Sequence, residues 1–374
     1  MRILFTVEFY EPKKGGAEEV VRQLSERLVT RGHAVTVATT RVPERTEKTI
    51  HGVAIEDFAL SGNSVKGIRG AEEEKRRYQQ LLIEGDFDVI VNYAAQIWCT
   101  DLAFLVLARI AAKKVFVPCG YSRLHHSQYK DYYEAIIQYL AEYDAIVYMS
   151  SEYQDYKFGE IHGFHNKAVI IPNGAGDEFL APSLGFKKRY GITTSRMVLT
   201  VANHYFAKGH LFVIGAFRKM KRDNTTLVII GERPSGRSWY SCDMFCTLFA
   251  RYNPRIISLH DVPREWVVSA YQEADLFLFG SHLECAPLVM YESFAAHTPF
   301  ITTDVGNVKD HAAVLTIIKT PQDMARAASE LLDSDEKRVR QANTAYELWA
   351  THHTWERIAL QYEELFKTLV YAKE

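Results

Sequence analysis

Long apolar runs are missing from this 374-residue chain: nothing in it approaches the roughly 18 consecutive apolar residues of a membrane-spanning helix. Its first residues, MRILFTVEFY, also lack an apolar segment of signal-peptide length followed by a small-residue cleavage site. A cytoplasmic protein is therefore expected, with peripheral contact at the inner membrane face left open. Cysteine is sparse. The five, Cys99, Cys119, Cys242, Cys246 and Cys285, are an odd set without a CxxC pair, so neither a disulfide framework nor a zinc site is indicated. Charge of either sign is not in excess, with 44 Lys and Arg against 46 Asp and Glu, so nothing recruits nucleic acid. The G-x-G-x-x-G string of dinucleotide-binding folds is absent as well, which argues against an NAD-dependent oxidoreductase.

What is present is the composition of an ordinary globular protein, 47% apolar and 24% charged, in a chain longer than one core organises. Two domains of about 170 to 190 residues are expected. Short β-branched or aromatic runs such as RILFTVEF, AVTVATT, FDVIVNYA, KKVFVPC and AIVYMSS alternate with helical spacings such as AEEVVRQLSERLVTRG, which ends on Gly32. Strand alternating with helix implies a parallel sheet covered on both faces. After IIPNGAGDEF the alternation restarts with MVLTVAN, TTLVIIGE, RIISLHD, LFLFGS, PFITTD and VLTIIK, so two doubly wound α/β units joined near Pro172, Asn173 and Gly174 are expected. Ligands of such sheets sit outside the C-terminal strand ends, where strand order reverses. The final stretch carries a helical apolar stripe, Trp355, Ile358, Ala359, Tyr362, Leu365, Phe366 and Leu369, that must pack on something.

The segment SHLECAPLVMYESFAAHTPFITTDVGN places two glutamates, Glu284 and Glu292, around a largely apolar run. Pro287 suits the first turn of a helix, and the free amides of Leu288 and Val289 there favour an anion such as phosphate. A carboxylate at Glu292, amid Met290, Tyr291, Phe294 and Ala295, needs hydrogen-bond donors, and a ribose diol supplies two. From spacing alone the better reading is that Glu284 is a solvated loop residue and Glu292 lies on the water-facing side of its helix. Asp86 and Asp88 spell D-x-D, a metal-binding string elsewhere, but they begin a strand rather than end one.

The Glu284 to Asn307 segment resembles the E-x7-E region of retaining glycosyltransferases of family GT4, whose fold is GT-B: two Rossmann-like domains facing across a cleft. In that family the first glutamate lies beside the donor sugar and the second binds the nucleotide ribose. EPKKGGAEEV resembles the family's glycine loop, assigning Gly15 and Gly16 to the donor. TVANHYFAKGH resembles the segment whose arginine and lysine neutralise the diphosphate; Lys208 fits the lysine, while Asn203 stands in the arginine's place. Gly231 and Val262, after the next two strands, complete the donor set. In KKVFVPCGYSRLHH the position often held by a histidine is Cys119, so either Cys119, Tyr121 and Ser122 line the acceptor wall or His125 or His126 reaches in.

The resemblance implies an N-terminal acceptor domain (1–170), a C-terminal donor domain (171–350) and a terminal helix (351–374) crossing back. It implies a retaining hexosyltransferase with Glu284 and Lys208 as catalytic residues, no cofactor or metal, and a UDP- or GDP-linked sugar as co-substrate. A glycan or lipid-linked sugar is the expected acceptor, in polysaccharide biosynthesis. The competing expectation is a nucleotide-sugar-binding module or partner subunit that has lost catalysis.

Overall fold

A computed structural model describes residues 1–13, 15–232 and 241–372. The chain divides into two compact units, residues 1–173 with 355–374, and residues 174–354.

The first unit holds β1 (Arg2–Thr6), β2 (Ala34–Thr40), β3 (Thr49–Ile50), β4 (Val53–Phe58), β5 (Ser61–Asn63), β6 (Gly67–Arg69), β7 (Val89–Tyr93), β8 (Lys113–Val117), β9 (Ala145–Tyr148) and β10 (Ala168–Ile170). Eight of these form one sheet in the order β10-β9-β8-β7-β1-β2-β4-β3, parallel throughout except for β3 against β4. Strands β1 and β7 are apolar on both faces rather than alternating, as expected where helices cover the sheet twice. The antiparallel edge β3 and the β5–β6 hairpin were not foreseen; they are two or three residues long and rich in polar residues and glycine. Helix Gly16–Thr30 follows β1 and stops at Gly32, which takes the left-handed conformation (φ 87°) that glycine adopts without cost.

The terminal helix Trp355–Tyr371 belongs to this unit and packs on helix Gly16–Thr30. Its stripe buries Trp355, Ile358, Ala359, Tyr362 and Phe366, and the Phe366 ring meets Phe5 of β1 at 6.4 Å. Glu363, on the same face, is also buried. It accepts hydrogen bonds from Arg31 at 2.6 Å and pairs with His33 at 3.0 Å and Lys367 at 2.7 Å.

The second unit holds β11 (Arg196–Val201), β12 (Thr225–Ile230), β13 (Ile256–Leu259), β14 (Leu276–Phe279), β15 (Phe300–Thr303) and β16 (Thr316–Ile318), all parallel, in the order β13-β12-β11-β14-β15-β16. Two apolar layers flank the sheet, one containing Phe277, Met290 and Phe294, the other Val213, Phe217 and Cys246.

Candidate active site

Each sheet has one place where strand order reverses, and the chemistry-bearing residues collect there. In the second unit β11 pairs with β12 on one side and β14 on the other, so the reversal lies between β11 and β14. The loop after β11 carries Asn203 to Lys208, and the loop after β14 carries Gly280 to Glu284. They meet directly: Lys208 Nζ lies 2.7 Å from Glu284 Oε1, which also accepts the Ser281 hydroxyl at 2.8 Å. The Ala207 carbonyl accepts the His282 amide at 2.8 Å and stitches the loops further. Gly209 permits this approach. Its φ is 68°, and a Cβ there would stand 1.8 Å from the Gly280 carbonyl oxygen. Lys208 is about a third exposed and keeps two further N–H donors for an anion, while Glu284 is mostly shielded.

Helix Leu288–Ala295 starts behind Pro287, four residues past Glu284, so the Leu288 and Val289 amides fall in the first turn, where no helical carbonyl precedes them. Glu292 is buried in this helix, and donors for its carboxylate come from within the domain. Arg264 stands 2.7 Å from its Oε1, and the Tyr271 hydroxyl donates to Oε2 at 2.9 Å. Arg264 reaches Glu178 at 2.8 Å as well, and it remains partly exposed. The two glutamates therefore belong to different ion-pair groups, one at the strand-end loops and one inside the domain. Val262 is half-buried two residues before Arg264. Gly231, after β12, is demanded by the backbone, since a Cβ would lie 2.1 Å from the Ala202 carbonyl. Asn203 is half-buried, and its carbonyl accepts the Tyr205 amide at 2.7 Å.

In the first unit the reversal lies between β1 and β7. Gly15 and Gly16 open helix Gly16–Thr30 beside it, and a Cβ at Gly16 would meet nothing within 4 Å. The adjoining strand-end loops are strained: Ala94, Gln96, Cys119 and Tyr121 all have positive φ, between 47° and 74°, with Gly120 at 90° between the last two. Non-glycine residues held there cost about 1 to 3 kcal/mol each, and such strain collects at functional sites. The first turn of helix Gln154–Ile161 enforces the conformation. Asp155 accepts the Gly120 amide at 2.8 Å, and Gln154 donates to the Gly120 and Tyr121 carbonyls at 2.7 and 2.9 Å.

Of the acceptor-wall candidates, Cys119 sits half-buried in this loop, its thiol pushed up by burial and then by Asp155, so it stays protonated. Tyr121 is corrected: its ring is fully buried against Phe116, Tyr133 and Phe158 and is core. Ser122 and His125 are exposed, and the His126 ring accepts the Gln128 amide as a local cap. Asp86 and Asp88 lie at the opposite, N-terminal edge, both bonded to Arg2. A groove of about 670 Å³ lined by Glu26, Arg27, Thr30, Arg31 and Glu356 also lies at the far end of its helix from the strand tips.

Sequence reasoning passed over two groups. Glu8, just past β1, has its carboxyl pushed up to about 7 by burial and by Glu18, itself raised by burial in the first turn of the next helix. The other is a buried cluster of His204, His210, Cys242 and Cys246, whose ligand-type atoms all lie within 4.8 Å of one another. Both ring nitrogens of His204, and His210 Nε2, have no hydrogen-bond partner among the described residues. Buried atoms so left cost about 1 to 3 kcal/mol each. The signal was C-x3-C, one helical turn, rather than the C-x2-C spacing that was sought.

Residues 14–179 match the profile described as Glycosyltransferase Family 4, and residues 186–348 the profile described as Glycosyl transferases group 1. Together the two matches span most of the chain and mark it as a GT4-like glycosyltransferase. This GT4-like chain is 34% identical over 112 residues to D-inositol 3-phosphate glycosyltransferase of Corynebacterium urealyticum, a stretch covering 29% of this chain and 26% of that one. It is 24% identical over 390 residues to the uncharacterized glycosyltransferase MJ1607 of Methanocaldococcus jannaschii, covering 98% of each. The chain spans about a quarter to a half of the length of the first curated relatives it matches. Among solved structures it resembles Anabaena Alr3699/HepE in complex with UDP-glucose, with a TM-score of 0.80 at 14% identity over 98% of this chain and 100% of that one. That likeness establishes the GT-B fold. Among the described residues no helix is long and apolar enough to cross a membrane.

Proposed function

We propose that this GT4-like chain is a retaining hexosyltransferase that moves a sugar from a nucleotide-diphosphate sugar to a glycan or lipid-linked acceptor. The observation that carries the reading is the Lys208–Glu284 contact of 2.7 Å at the strand-order reversal of the second unit. Transfer requires a departing diphosphate to be neutralised and a positive anomeric centre to be stabilised. Lys208 and the amides of Leu288 and Val289 serve the first need, and the Glu284 carboxylate, beside the sugar, serves the second. The bond from the anomeric carbon to the diphosphate oxygen breaks with its electron pair passing to the phosphate. The acceptor hydroxyl attacks the same face, and its proton goes to the departing phosphate. No protein base is needed, so a protonated Cys119 on the acceptor side does not block the step.

The donor side takes support from the neighbour described as bound to UDP-glucose, so a UDP-sugar is the first donor class to test. The Gly15–Gly16 loop, at the strand-order reversal of the first unit, stays a donor-binding candidate in this reading, and Glu292 meets the ribose through the group it shares with Arg264. A catalytic metal is not part of the reading, since Asp86 and Asp88 are tied to Arg2 at the wrong edge of their sheet. Asn203, where the family's segment has an arginine, supports a second reading: a module that binds the donor without turning it over.

The test is a transfer and donor-hydrolysis assay over UDP- and GDP-sugars with the anomeric configuration of product followed by NMR. Transfer with retention is expected, and Lys208→Ala and Glu284→Ala should each lose roughly 10- to 100-fold in kcat/KM, the worth of about 1.5 to 3 kcal/mol per charged hydrogen bond. Wild-type rates in both variants contradict the assignment. Binding without turnover selects the module.

A further inference from the structure

We propose that His204, His210, Cys242 and Cys246 form a structural zinc site that anchors the loop carrying Lys208. All four residues are at most 2% exposed. They come from three places: His204 follows β11, His210 opens helix His210–Met220, and Cys242 and Cys246 stand one turn apart on helix Cys242–Tyr252. Residues one turn apart on a helix project from the same face and can chelate one ion. Cys242 Sγ is 3.3 Å from His210 Nδ1, and the His204 and His210 rings stack with centroids 4.8 Å apart. Bonds of about 2.0 to 2.3 Å give a tetrahedral ion ligand-to-ligand edges of roughly 3.3 to 3.8 Å. One edge already has that length, and the 4.8 Å limit on the others is within reach of side-chain rotation.

The donor set selects the metal. Two thiolates and two imidazoles in closed tetrahedral array are a zinc set, and two thiolates cancel the ion's charge, so the buried site is neutral. Binding converts two thiols and Zn²⁺ into two zinc–sulfur bonds and releases two protons to solvent. Outside the four ligands, Asp243 and His260 are paired at 2.9 Å, and the His260 ring lies 4.9 Å from that of His204. A carboxylate in that position suits the second nitrogen of a metal-bound histidine. A core reading leaves three ring nitrogens buried without a partner among the described residues; metal ligation and its outer partners use them.

Lys208 lies between His204 and His210 in the chain, so the ion would fasten both ends of its loop to helix Cys242–Tyr252. The consequence is positional, not catalytic, and it stands whether or not the chain transfers sugar.

The experiment is metal analysis of the full-length protein purified from zinc-supplemented medium, with cobalt substitution alongside. The wild type should hold about one zinc per chain, and its cobalt form should show thiolate-to-cobalt charge transfer and the strong visible bands of tetrahedral geometry. Cys242→Ser with Cys246→Ser should lose the bands and at least about 10-fold in metal content, while Cys285→Ser keeps both. Chelation should lower the melting temperature of the wild type. A wild type without zinc and without cobalt bands overturns the proposal, as does full zinc content in the double variant. If the double variant does not fold, the cobalt titration of the wild type decides alone: one equivalent with thiolate bands supports the site, none overturns it.

Discussion

Glu8 carries the most informative titration in the first unit. Burial, reinforced by Glu18, raises its carboxyl from 4.5 to about 7, so the folded chain holds that proton more tightly than the unfolded chain does. Its contribution to stability is whole below about pH 4.5 and is lost as pH rises through 7. Glu8→Gln removes the penalty. The melting temperature of that variant relative to wild type should therefore climb between pH 4.5 and 8, and a difference independent of pH would show that the carboxyl is not desolvated. Glu292 is tested through its partners instead. Arg264 and Tyr271 already satisfy the carboxylate, so Arg264→Ala leaves a buried charge short of a partner and should cost stability, by about 3 kcal/mol in a denaturant titration. An unchanged midpoint would mean that Glu292 is solvated in the folded chain.

At the scale of elements, the terminal helix is held by its apolar stripe and by one buried carboxylate. Burial works against the charge on Glu363, yet hydrogen bonds from Lys367, His33 and Arg31 outweigh it and hold the carboxyl down at about 2. The stability this gives is present above about pH 4.5 and disappears as pH falls toward 2. Acid should accordingly loosen helix Trp355–Tyr371 early, with amide exchange there rising below pH 4.5 in the wild type and already elevated at pH 7 in Glu363→Ala. Protection unchanged down to pH 3 contradicts this. The stripe itself was legible in the sequence because apolar residues at helical spacing report a buried face. Its seat on helix Gly16–Thr30 was not, because packing partners are chosen by topology. The same distinction explains the loops. Lys208 and Glu284 were legible as strand-end residues, and their contact was not, since it depends on Gly209 passing the Gly280 carbonyl. Tyr121 was misread because a left-handed backbone at Cys119, Gly120 and Tyr121 turns the ring inward, and local sequence gives no warning of such a turn. The His–Cys cluster escaped because its ligands are drawn from three elements.

Over the whole molecule, the doubly wound pattern was legible from alternation alone: apolar β-branched runs separated by helical spacings, interrupted once near Asn173. Strand order was not, and strand order is what decides where a ligand can sit, because the crevice opens only where neighbours lead off in opposite directions. In the second unit that place is between β11 and β14, and the half-shielded ion pair of Lys208 and Glu284 stands there with the start of helix Leu288–Ala295 close behind in the chain. The central claim is that the phosphates of a nucleotide sugar are bound at this place. Calorimetric titration of UDP- and GDP-sugars into the wild type and Lys208→Ala tests it most directly. The account predicts saturable binding to the wild type, weakened roughly 10- to 100-fold by the substitution with the melting temperature little changed. Equal affinity of the two proteins for every donor, or no binding of any donor by the wild type, would contradict it.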